Sequence, residues 1–195
     1  MAWRQGLNLG AAARIKYKYE INGFCWHADM KKYKTYRKWM LQAVKNELLP
    51  RLREQDFERV FLKGEEKKQL EQFYPFGRFQ RFRGNVIDIL QIGFPQYGYP
   101  EFRISAGTVA KSGYEHQIFG HIAAKDVWVG YLIPHYSFYA IPFTGRWFSV
   151  PFYSFRKLDE GDFSSYVRKI SAALVNEIDA ALVHGRKGKH TRKCG

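Results

Sequence analysis

The sequence predicts an α+β domain: an antiparallel sheet of about five or six strands, a kinked N-terminal helix, and a long C-terminal helix packed on the sheet. Three observations carry this. Residues 73–94, FYPFGRFQRFRGNVIDILQIGF, alternate aromatics with arginines, turn at Gly84-Asn85 and return as Val, Ile and Leu. Phe163, Val167, Ile170, Leu174, Ile178 and Leu182 recur at spacings that align them on one helix face. Between the two lie short aromatic and β-branched runs separated by Gly and Pro, which read as strands.

In chain order, residues 1–34 form a basic arm without sustained periodicity, although IKYKYEI at 15–21 alternates as a short amphipathic strand would. A helical pattern begins at Thr35, with Trp39, Ala43, Val44, Leu48 and Leu52 on one side. Pro50 must kink or divide this helix, because it has no N–H for the i−4 carbonyl. Residues 63–72, KGEEKKQLEQ, are charged and solvated. In the hairpin that follows, Gly84 suits the positive φ of a type II′ loop. That loop sets Arg83 against Val86, Phe82 against Ile87, Arg81 against Asp88 and Phe79 against Leu90. Arg81 and Asp88 then form a cross-strand ion pair. Arg81, Arg83 and Asp88 share one face with Phe79 and Leu90, while Arg78, Gln80 and Gln91 share the other with Phe82, Ile87 and Ile89. Neither face alternates cleanly, so both are expected to be partly covered.

EFRISAG at 101–107 reads as the next strand, with Phe102, Ile104 and Ala106 inward. Further strands are expected at 127–133, 138–143 and 147–152, whereas 111–125 carries little signal. Asp159 or Asp162 caps the closing helix and Gly185 ends it. The tail at 186–195 is basic, nearly devoid of apolar residues, and expected to be disordered. A single α+β domain at 35–185 thus lies between a basic arm and a basic tail.

The length of 195 residues fits that one domain, and a hydrophobic content of 46% provides its core. The net charge of +14 is uneven: residues 1–38 hold +7 and residues 184–195 hold +5, which leaves +2 for the body. Nucleic-acid binding through the two ends is therefore one reading of the charge. Cys25 and Cys194 make neither a disulfide framework nor a zinc spacing, which points to a reducing, cytoplasmic setting. Residues 127–145 lack formal charge but are interrupted by Pro134, His135, Ser137 and Pro142, so no membrane span is expected. No secretory pattern opens the chain.

From FYPFGRFQRF through IDILQIGF to EFRISAG, the chain resembles a bacterial family of domains of unknown function, the 4304 type. The resemblance covers residues 38–183. It implies a fold in which a proline-bearing helix and a charged segment precede an aromatic-arginine strand and a meander closed by a helix. It also implies a bacterial source, and it implies no activity.

Chemistry-bearing motifs are sparse. GTVAKSG at 107–113 fails as a phosphate loop, because Ala110 stands where the glycine before Lys111 is required. No cofactor motif is present. His116, His121 and Glu115 lack the i, i+4 spacing of a helical metal pair, and no metal ligands or catalytic residues are assigned. The candidate ligand-binding residues are Arg78, Arg81, Arg83 and Arg103 with Tyr74 and Phe76, since guanidinium forks grip phosphate or carboxylate while aromatic faces stack planar groups. The leading expectation is a non-enzymatic binding or accessory domain that holds a protein or anionic partner on this Arg/aromatic surface. Its alternative is a nucleic-acid binder, and a third reading is a small hydrolase-like enzyme using His116, His121 or Asp88 in a cleft.

Overall fold

The computed structural model describes residues 26–95, 98–151 and 157–194. The arm at 1–25, with its expected strand at 15–21, lies outside the described residues. Helix α1 (Trp26–Ala43) starts upstream of the expected residue 35, so that boundary falls inside the helix. Lys, Ala and Met favour a helix there without periodic apolar residues, and among the described side chains the buried stripe includes Tyr36 and Met40. A π-helical turn (Val44–Leu48) joins α1 to α2 (Leu49–Glu54). Pro50 accounts for the join. The wider turn lets the Leu49 N–H reach the Val44 carbonyl, and Pro50 falls in the first turn of α2, where its missing N–H costs nothing.

Strand β1 (Glu58–Val60) and the solvated helix α3 (Gly64–Leu70) lead to the hairpin of β2 (Arg78–Arg83) and β3 (Val86–Gly93). Its register is the one the loop predicts, including Arg81 opposite Asp88. Gly84 takes a φ of +51°, and Asn85 stays at negative φ. Strand β4 (Glu101–Ala110) pairs with β3 over the full length of β3. Strands β5 (Tyr114–His116) and β6 (Gly120–Ile122) then make a separate hairpin, within the stretch that carried little signal. Strand β7 (His135–Phe138) and the two-residue β8 (Phe148–Ser149) pair with different stretches of β4. The antiparallel sheet runs β1-β2-β3-β4-β7-β9, where β9 is Thr191–Cys194.

Helix α4 (Glu160–His184) begins with the reciprocal hydrogen bonds of a capping box between Asp159 and Asp162 and ends at Gly185 with a φ of +66°. With α1, the π turn and α2 it covers one face of the sheet. Phe163, Val167, Leu174 and Ile178 meet Met40, Leu48, Leu90, Ile104 and Phe138 in the main core. Each such side chain, fully buried, contributes about 1.5–3 kcal/mol. On the opposite face Val127, Val129 and Leu132 close over Ile87, Ile89 and Val109.

Three expectations are corrected. Residues 127–133 are not a strand but part of a cover containing two 3₁₀ turns, Ala124–Asp126 and Val129–Tyr131. An apolar run reports burial, not backbone conformation. Gly107 makes the cover fit, because a Cβ there would stand 2.6 Å from Leu132 Cδ1. Of 138–143, only Phe138 is in a strand; beyond it, Ala140 and Arg146 close a loop. The tail is not disordered over 191–194. The Glu177 carboxylate accepts from the His190 N–H and Thr191 Oγ1, and β9 fills the open edge of β7.

Candidate anion-binding face

Strand alternation divides the predicted site residues between the two faces of the sheet. Arg81 and Arg83 point toward the helices and converge on Asp88, which is fully buried. Arg81 donates to Asp88 through Nε and Nη2 at 3.0 and 2.9 Å and to Asp179 of α4 through Nη1 at 2.8 Å. Arg83 donates to both Asp88 oxygens and to the Leu182 carbonyl in the last turns of α4, where the helix dipole favours a cation. Thr108 adds a 2.7 Å hydrogen bond. Burial pushes the Asp88 carboxyl up, but the hydrogen bonds from Arg83, Thr108 and Arg81 outweigh it and hold it below the usual carboxylate range. This cluster ties α4 to the hairpin, so Arg81 and Arg83 are engaged internally. Phe76 is likewise in the main core.

Arg78, Arg103 and Tyr74 belong to the other face. Arg78 is directly opposite Gln91 on β3, Gln91 is opposite Ser105, and Ser105 is opposite Ser137. Directly opposed residues share a face, so these four form a polar row across four strands. Gln80 lies two residues along β2 from Arg78, on the same side. Arg78, Gln80 and Gln91 are 5, 7 and 3% exposed. Yet Arg78 Nε, Gln80 Nε2 and Gln91 Nε2 are buried with no hydrogen-bond partner. Arg78 Nη1 donates to the Val127 carbonyl at 3.2 Å, and the nearest carboxylate, Glu66, is 3.9 Å from its Nη2.

Aromatic rings wall this row. The Arg78 guanidinium lies 5.1 Å from the Trp128 ring centre, and Trp128 packs on Tyr74 at 5.3 Å. The Arg103 guanidinium lies 4.8 Å from the ring of Trp147, and Arg103 has no hydrogen bond or ion pair among the described residues. Arg103, Trp128, Trp147 and Tyr74 are all half-buried, so solvent reaches them. Glu101, two residues from Arg103 on the same side of β4, is pushed up by burial and partly restrained by Arg146. The site therefore offers three buried N–H donors without partners and two ring-stacked guanidiniums, of which that of Arg103 has no acceptor among the described residues. Such a set is suited to an anionic oxygen group carrying a planar or apolar body.

Sequence reasoning put Arg78, Gln80 and Gln91 on one face but took neither glutamine as a site residue. Trp128 and Trp147 were missed because they come from separate loops. The histidines do not join this site. His121 Nδ1 is 2.6 Å from Glu115, and His116 Nδ1 accepts from the N–H groups of Ile118 and Phe119 in its own turn. Because Glu115 opposes His121 and His116 opposes Gly120, the two imidazoles leave opposite sides of the small hairpin, and Asp88 is buried beneath α4. Among the described residues there is no cluster of metal-ligating side chains and no helix long and apolar enough to cross a membrane. Comparison with protein-family models, curated proteins and solved structures gives no match.

Proposed function

We propose that this chain is a non-enzymatic binding or accessory domain that holds an anionic ligand on the face built by Arg78, Gln80, Gln91 and Arg103. One observation carries this reading: three buried side-chain N–H donors, with no acceptor, cluster on β2 and β3. An unmet buried donor costs about 1–3 kcal/mol, and a phosphate or carboxylate oxygen would meet several at once. Arg103 supplies the second cation, and Trp128, Trp147 and Tyr74 supply a lining for the ligand's planar part. A reducing, cytoplasmic setting belongs to the same proposal and is consistent with the free thiol of Cys194.

Phenyl phosphate, which combines an anionic head with a ring, is a suitable first probe, with inorganic phosphate and benzoate beside it. Titration should quench tryptophan fluorescence saturably and raise the melting temperature. Arg103→Ala or Arg78→Met should weaken the response at least about tenfold, the loss of one charge-assisted contact. Lys38→Ala, exposed on α1, should leave it unchanged. Equal responses in Arg103→Ala, Arg78→Met and the parent chain would overturn the site.

A further inference from the structure

The C-terminal edge of the sheet carries a second arrangement, built from other residues. β9 ends the sheet order, and Arg192 and Lys193 are exposed along it. Lys187 is exposed on the approach from α4. The loop between Ile141 and Arg146, closed by reciprocal backbone hydrogen bonds between those two residues, presents Phe143 with 97% of its surface exposed. Pro142, Phe143, Lys187, Thr191, Arg192 and Lys193 line one open groove of about 370 Å³. Residues 184–195 contain five Lys or Arg and no acid. The Glu177 carboxylate, beside this edge, accepts from the His190 N–H and Thr191 Oγ1. The groove thus combines an uncovered aromatic ring with cations that make no ion pair among the described residues.

We propose that this groove binds single-stranded nucleic acid, with a base stacked on Phe143 and backbone phosphates against Lys187, Arg192 and Lys193. Charge complementarity favours a polyanion, and the free ring selects one whose bases are unpaired, because a duplex keeps its base faces stacked internally. Arg192 opposes Ser137 and Lys193 opposes Tyr136, so the two cations leave opposite sides of the edge strand, and a phosphate backbone running along that edge meets one on either side, with Lys187 at the turn leading into it.

The test is fluorescence anisotropy of a labelled oligothymidylate with the full chain across a potassium chloride series. Single-strand affinity falls with a log–log slope of about 0.7 per phosphate contacted. Replacing Lys187, Arg192 and Lys193 together by Ala should therefore reduce the slope by about 2. Phe143→Ala should weaken binding about tenfold with the slope preserved, at an unchanged melting temperature. An unaltered affinity in Phe143→Ala, an unaltered slope in the triple variant, or equal competition by heparin or a duplex would each overturn the proposal. Loss of phenyl phosphate binding in Arg103→Ala leaves this groove intact, so the two sites fail independently.

Discussion

Asp88 carries the highest stake of any single residue, because it receives Arg81, Arg83 and Thr108 in a fully buried position. Removing its charge strands guanidiniums against the core. Asp88→Asn should lower stability by about 3–5 kcal/mol, measured by urea unfolding at neutral pH. The pH dependence has a definite sign. The folded carboxyl titrates below its unfolded value of about 3.9, so its stabilisation is fully present above that pH and is lost as pH falls through the folded value. The Asn variant should lack this component of the acid limb; an unchanged limb would assign acid lability elsewhere. The Arg81–Asp88 pair was legible in the sequence because a two-residue Gly84-Asn85 loop fixes the register. What the register does not reveal is which side α4 covers. Alternation separates Arg78 from Arg81 and Arg83, but only tertiary packing makes one set a staple and leaves the other short of acceptors.

Among the elements, α4 was legible almost residue by residue, since its apolar repeat, acidic cap and terminal glycine all state the same structure. The cover at 124–132 was not, because Val127, Val129 and Leu132 satisfy a strand pattern and a buried loop equally well. Its seat depends on Gly107. Gly107→Val should displace Leu132 and cost about 1–3 kcal/mol as overpacking, seen as a lower urea midpoint. The tail misled for a different reason: composition favours disorder, but an unfilled edge on β7 and the Glu177 carboxylate supply partners from outside the segment. Deleting residues 186–195 should therefore lower the melting temperature by on the order of 5 °C instead of leaving it unchanged. Calorimetry of the shortened and full chains decides between these outcomes.

At the scale of the whole molecule, the sheet separates two kinds of surface. On its helix-covered face Arg81 and Arg83 are held internally by Asp88 and Asp179. Its other face is dry where Ile87, Ile89 and Val109 meet the cover, and polar where Arg78, Gln91, Ser105 and Ser137 cross the strands. The excess basicity is carried by residues 1–38 and 184–195. That division is why the net charge of +14 does not by itself identify a partner, and why the candidate site rests on unmatched donors. The most direct measurement follows the arginine Nε–Hε resonances by heteronuclear NMR during titration with phenyl phosphate, with the Arg78 signal assigned by its loss in Arg78→Lys. The Arg78 Nε–Hε signal should move strongly downfield and saturate as it gains an acceptor, while those of Arg81 and Arg83, already held by Asp88, stay in place. A stationary Arg78 signal throughout a saturating titration would contradict the proposed site.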